Sequence, residues 1–308
     1  MKLTLPTEFI EKRNYYDSCP LHIVNNIRIG NAPDSMYYGL EIEMDIKPYR
    51  YENYAYISDM RGMLKSKTQI PEFIYLQTDC SIDDSVEATT VPCSWSFLTS
   101  SATKSILSRW LKQCLSLGFI SSNRAGLHIH MSKNGFQDIE HMYRFCWFIY
   151  HNVRFSKRIG RRVKENFSHY YEYFKDKEIL SNSLHALHNS APFDKHYEWQ
   201  NQFYATPYHI RYTTANYAVK EHKMAFSGKD CAVNFNNSNT IEVRMFRGII
   251  SYSHIYSSLE FCKSLLEFSK IYTNEDEMTV KRFKQYIFNN RKKYPNLLKG
   301  LMYKRKAI

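Results

Sequence analysis

The stretch Gly39-Leu40-Glu41-Ile42-Glu43-Met44-Asp45 alternates apolar and acidic residues without a break. In a β-strand successive side chains point to opposite faces. Leu40, Ile42 and Met44 then face a core, and Glu41, Glu43 and Asp45 project together from the other side. Two further stretches share the design: Gly126-Leu127-His128-Ile129-His130-Met131 and Thr240-Ile241-Glu242-Val243-Arg244-Met245. One strand with a charged face is ordinary. Three such strands, carrying carboxylate, imidazole and guanidinium at alternate positions, predict one sheet face built as a reaction surface.

Around these strands the chain has the make-up of a packed protein. It has 308 residues, 44% hydrophobic and 16% aromatic, with only 10 glycines. No apolar run approaches the length of a membrane-spanning helix. The opening Met1-Lys2-Leu3-Thr4-Leu5-Pro6 lacks the apolar block of a secretory signal. A cytoplasmic protein with no membrane contact is expected. The seven cysteines are odd in number, scattered, and form no Cys-x-x-Cys pair. This speaks against a disulfide framework and a zinc–thiolate site, and predicts reduced, buried thiols. A net charge of +12 and a pI near 9.2 favour contact with a polyanion, or simply keep the surface solvated.

The periodicity places strands at 38–46, 72–78, 83–91 and 126–132, with Pro92 ending the third. Tyr49 to Lys67, rich in tyrosine and polar residues, reads as a mobile loop. Ile106, Trp110, Cys114 and Leu117 predict a helix over 101–118, capped by Ser101 and stopped by Gly118. A second helix over 137–157 carries Ile139, Met142, Phe145, Ile149 and Val153 on one stripe. A strand at 231–237, the turn Asn237-Ser238-Asn239 and the Glu242 strand predict a β-hairpin. Helices follow near 252–271 and 277–290. The organisation expected is an irregular segment over 1–36, a catalytic domain over 37–272, and a C-terminal helix with a basic tail over 273–308. Hairpin signals outnumber βαβ units, which predicts an α+β fold: a curved, mainly antiparallel sheet, helices on one face, the active site on the other.

On that face Glu41 and Glu43 are roughly 7 Å apart at Cβ. Paired carboxylates there stay ionised only with cations nearby. Adding His128 and Glu242 makes an oxygen-rich set with one imidazole, which suits Mg²⁺ or Mn²⁺ rather than structural zinc. The acidic run from Asp79 through Asp83 and Asp84 to Glu87 places Asp79 at a strand end and Glu87 on the next strand. Asn234 and Asn236 share a face and either orient a nucleotide or substrate or bond along the sheet edge. Arg247 has the opposite parity to Arg244 and reaches the site only if the strand ends or bulges there. Arg154, Lys157, Arg158, Arg161, Arg162 and Lys164 cluster at a helix end, where the dipole favours cations, or bind phosphate. Arg211 is a weaker candidate for phosphate, and the basic tail after Lys292 reads as a solvated end.

The order Gly-Leu-Glu-x-Glu, Thr-Asp with a Glu eight residues on, Gly-Leu-His-x-His and Thr-Ile-Glu-Val-Arg resembles the glutamine synthetase and glutamate–cysteine ligase superfamily, and within it the amidoligase family. The motifs run from Gly39 to Gly248, about two-thirds of the chain. The resemblance implies a glutamine synthetase-like catalytic domain and an ATP- and Mg²⁺-dependent carboxylate–amine ligase. By it Glu41 and Glu43 are split between two metal sites. Asp79 and Glu87 join Glu43 around one ion, and His128 and Glu242 join Glu41 around another. Arg244 meets the transferred phosphate. The gap from Asp79 to Glu87 is one residue longer than in glutamate–cysteine ligases, so Asp83 or Asp84 is an alternative ligand. His130 receives no role. The substrates implied are a carboxylate and an amine, carried on a peptide, a small molecule or a modified nucleotide. The competing readings are a nucleic-acid-binding protein whose sheet has lost catalysis, a phosphotransferase, and a metal-dependent hydrolase using His128 and His130.

Overall fold

The computed structural model describes residues 5–7, 9–10, 24, 26–46, 57–78, 85–121, 125–161, 232–234, 237 and 239–302. Asp79, Asp83, Asp84, Arg162, Lys164, Arg211 and Asn236 lie outside them, as do Cys19, Cys80 and Cys231. The chain divides into two units. The first comprises Met1–His130 and Arg247–Tyr256, the second Met131–Phe246 and Ser257–Ile308. The protein is α+β with a mainly antiparallel sheet.

In the first unit β1 (Tyr37–Ile46) is central. It pairs antiparallel with β3 (Ser85–Thr90), and β3 pairs antiparallel with β2 (Ile74–Thr78). Two short strands, β4 (Cys93–Ser94) and β5 (Phe119–Ile120), also pair with β1. On its other side β1 is bonded to β6 (Gly126–Ser132). The apolar parity is buried as the alternation requires. Leu40, Ile42, Met44, Ile74, Leu76, Val86, Ala88, Leu127 and Ile129 are each at most 2% exposed. Burial on this scale contributes roughly 1.5–3 kcal/mol per large side chain.

The helices of this unit include α1 (Ile57–Lys67), α2 (Trp95–Thr99) and α3 (Ser101–Ser116). The loop expected up to Lys67 is therefore helical from Ile57. Arg61 and Leu64, one turn apart, are buried, and this tertiary contact compensates for a weak apolar stripe. The cap of α3 is Ser100 rather than Ser101: its Oγ accepts from the Thr103 N–H at 3.2 Å. Its buried stripe is Leu107, Trp110, Leu111 and Cys114, while Ile106 is 41% exposed. Gly118, at φ +96°, ends the helix in the left-handed region as expected.

In the second unit the helix expected over 137–157 is two helices, α4 (Ile139–His151) and α5 (Val153–Gly160). Asn152, at φ −103° and ψ 46°, breaks them. Asp138 caps α4 by accepting from the His141 N–H. The strands β7 (Val233–Asn234) and β8 (Thr240–Arg247) form the expected hairpin, β7 being much shorter than 231–237. Then come α6 (Tyr252–Ile271), whose first turn lies in the first unit, α7 (Val280–Asn289) and α8 (Pro295–Met302). The core of this unit is aromatic. Phe283 meets Phe148 at 4.9 Å and Phe268 at 5.3 Å between ring centroids. The described cysteines, Cys93, Cys114, Cys146 and Cys262, are buried and form no disulfide. Among the described residues no helix is long and apolar enough to cross a membrane.

Candidate functional site

The register of the first unit lines up its polar face. Residues directly opposite on antiparallel strands share a face. Glu41 stands opposite Thr89, and Glu43 opposite Glu87. Glu87 is in turn opposite Gln77 on β2. Gln77, Glu87 and Glu43 thus form one row across three strands. The Glu87 carboxylate accepts from Gln77 Nε2 at 2.5 Å and from Thr89 Oγ1 at 2.7 Å.

On the β6 side the two histidines converge on one carboxylate. Glu41 Oε2 lies 2.9 Å from His128 Nδ1, and Glu41 Oε1 lies 2.7 Å from His130 Nε2. The other nitrogen of His128 is 3.5 Å from Glu43 Oε1. Glu43 also accepts the backbone N–H of Gly126, the first residue of the histidine strand. The result is a chain, Glu43–His128–Glu41–His130, in which acid and imidazole alternate.

This face is no solvated surface. Glu43, Asp45 and His128 are 4%, 6% and 3% exposed. Burial works to raise the pKa of Glu41, but the His130 charge and hydrogen bonds from both imidazoles hold it well below the usual carboxylate range. Among the described residues no imidazole is bonded to Glu87. Burial, and after it the charge of Glu41, push its pKa up to about 7. One sheet face therefore holds a carboxylate stabilised as the anion and another that is short of positive charge.

The donor set of this face is four carboxylates, Glu41, Glu43, Asp45 and Glu87, with the two imidazoles of His128 and His130, and is rich in hard oxygen. Such a set fits a divalent cation of the Mg²⁺ or Mn²⁺ type, which would relieve the charge deficit at Glu87. Among the described residues of this unit, Glu41 and His130 are the ones that offer ligand atoms to a group lying within 4.8 Å of one another.

The second unit carries the Glu-Val-Arg motif on its hairpin. Asn234 is opposite Glu242 in the β7–β8 register and donates from Nδ2 to Glu242 Oε2 at 3.1 Å. The other oxygen, Oε1, accepts from Arg244 Nη1. Glu242 and Asn234 are buried, and Arg244 is half-buried. Neighbours at i and i+2 on one strand face thus fix a guanidinium in place. Arg247 closes β8 and belongs to the first unit; its carbonyl accepts from His254 Nε2 at 2.9 Å.

Sequence reasoning passed over Lys133. It continues the parity of Leu127, Ile129 and Met131, and a lysine on the apolar parity was the available signal. It is 3% exposed. Its Nζ donates to the Asn237 carbonyl at 2.5 Å, and its N–H donates to the Asn239 carbonyl at 2.9 Å. Burial lowers its pKa to about 7. Gln77 and Thr89 were also passed over. Only the register shows that they meet Glu87.

No protein-family model matches the chain, and no curated protein matches it in sequence. The residues and their geometry carry the functional reading.

Proposed function

We propose that the protein is an ATP- and Mg²⁺-dependent carboxylate–amine ligase with a glutamine synthetase-like catalytic domain. It forms an amide or isopeptide bond through an acyl phosphate. The observation that carries this reading is the row of opposed carboxylates, Glu43 against Glu87 with Glu41 beside them, gathered against His128. A face this acidic repels a triphosphate unless divalent cations lie between. Of the readings open to the sequence, a ligase uses such a face most fully.

When bound, ATP and Mg²⁺ supply the phosphoryl group that turns the poor oxide leaving group of a carboxylate into a good one. The chain's own residues do the rest. By the resemblance, Glu41 and His128 would hold one cation and Glu43 and Glu87 another. The resemblance adds Glu242 as a ligand and Arg244 as the phosphate contact. Arg244 offers a planar fork of donors suited to phosphoryl oxygens. Its bond to Glu242 keeps that fork oriented before substrate arrives, so no reorganisation is spent during reaction. Asn234 holds the second oxygen of Glu242 and completes the support.

The test is product stoichiometry. Release of ADP and phosphate should require both a carboxylate and an amine, and an amide should form in equal amount. Glu242→Gln and Arg244→Ala should each abolish turnover with unchanged circular dichroism. A phosphorylated product without amide would instead identify a phosphotransferase. Full activity in both variants would remove the proposed site.

A further inference from the structure

We propose that the face built by α7, α8 and the turn between them binds the phosphate backbone of a nucleic acid. The charge of the chain is not spread evenly. From Met278 to Ile308 there are ten Lys and Arg and no Asp or Glu, so this end carries ten of the twelve excess positive charges. An asymmetry of this kind marks a polyanion partner rather than a generally solvated surface.

Five of these charges stand at exposed positions along α7, the turn and α8. On α7, Lys281, Lys284 and Phe288 follow at three- and four-residue steps, so they form one stripe. Arg291 and Lys292 continue it through the turn, and Lys299 lies on α8. All six are exposed, Phe288 at 54%. Arg282 is engaged by Glu277 at 2.6 Å and Lys293 by Glu267 at 2.6 Å. Among the described residues no carboxylate holds Lys281, Lys284, Arg291, Lys292 or Lys299. Seven residues of helix rise about 10 Å, the length of about three nucleotides of one strand. Phe288 lies within the row, with Arg291 over its ring at 5.5 Å. A cationic track with an aromatic inside it is the arrangement that holds a strand by its phosphates and stacks a base.

A membrane surface fits less well. A helix lying in the interface presents a broad apolar face. Phe283 and Ile287 of α7 are fully buried in the second unit, and Phe283 is engaged with Phe148 and Phe268. Among the apolar residues of that helix Val280 is half-buried and Phe288 exposed, too little to anchor in lipid.

The experiment uses the full chain and a short fluorescein-labelled single-stranded oligonucleotide, read by anisotropy across 50 to 200 mM salt. About four phosphate contacts predict a log–log slope near −3 and a loss of affinity of about fiftyfold or more over that range. The variant combining Lys281→Glu, Lys284→Glu, Arg291→Glu and Lys292→Glu should lose at least about a hundredfold in affinity at 50 mM salt with an unchanged circular dichroism spectrum. Should that variant not fold, Lys281→Gln and Lys292→Gln singly should each reduce the slope by about 0.7. Phe288→Ala should weaken binding about tenfold and leave the slope alone. Three results overturn the proposal: no binding at 50 mM salt, wild-type affinity in the charge variants, or tighter binding to phosphatidylserine vesicles or polyglutamate than to the oligonucleotide.

Discussion

Glu43 stands directly opposite Glu87 across the antiparallel β1–β3 ladder. Like charges in that position repel and weaken the pairing. A sheet that only needed to be stable would place an opposite charge or a threonine there. Among the described residues Gln77 and Thr89 donate to Glu87, Gly126 donates to Glu43, and both histidines meet Glu41. The arrangement concentrates negative charge where a cation would lower its energy.

The pH dependence of stability should show this. The carboxyl of Glu87, raised from 4.5 to about 7, holds its proton more tightly in the folded chain. Its contribution is complete below about pH 4.5 and lost as the pH rises through 7. In chelator, the melting temperature of the wild type should fall relative to Glu87→Gln across that window. Mg²⁺ added at pH 7 should stabilise the wild type more than the variant. Parallel melting curves with pH would contradict the charge deficit at this position.

Arg244→Lys keeps a positive charge but loses the planar fork. If the guanidinium orients phosphoryl oxygens, this variant should lose about 10²–10³-fold in kcat, with a smaller change in KM for ATP and an unaltered melting temperature. Steady-state kinetics at saturating carboxylate and amine would measure it.

Lys133 pins the turn between Asn234 and Glu242 by two bonds, and its pKa is lowered from 10.5 to about 7 by burial. Below about pH 7 the ammonium bears its desolvation cost. From there to about 10.5 the unfolded chain keeps a proton the folded chain has released, so stability rises with pH. The slope is at most about 1.4 kcal/mol per pH unit. Denaturant titrations should show this rise in the wild type and its absence in Lys133→Met.

Gly248 is needed for a close approach. Its N–H donates to the Ala125 carbonyl at 2.7 Å, and a Cβ added there would lie 2.7 Å from the Ala125 carbonyl carbon and 2.8 Å from the Gly126 oxygen. Gly248→Ala must displace the start of the histidine strand, whose Gly126 N–H supports Glu43. We expect a loss of about 1–3 kcal/mol in chemical denaturation, and weaker Mg²⁺ binding in calorimetry.

Legibility followed the strength of local pattern. Strict alternation marked β1 and β6 almost to the residue, and a continuous apolar stripe did the same for α6. Where pattern was weak, context decided. Tyrosine-rich polar sequence concealed α1, and one residue, Asn152, divided a helix whose apolar stripe ran on unbroken. Ser100 and Ser101 are equal as caps on paper, and only the backbone at Ser100 is extended.

The amino-acid order by itself determined which side chains share a face, because alternation along a strand is a property of covalent geometry. It thereby put Glu41 with Glu43, His128 with His130, and Glu242 with Arg244. Tertiary structure alone decided what each acid meets across the strands. Pairing register is set by turns and by burial of the opposite face, and a slip of one residue would have turned Glu87 away from Glu43. That choice left Glu41 between two imidazoles and, among the described residues, none bonded to Glu87. It also buried Lys133 on a parity that sequence would have reserved for an apolar residue.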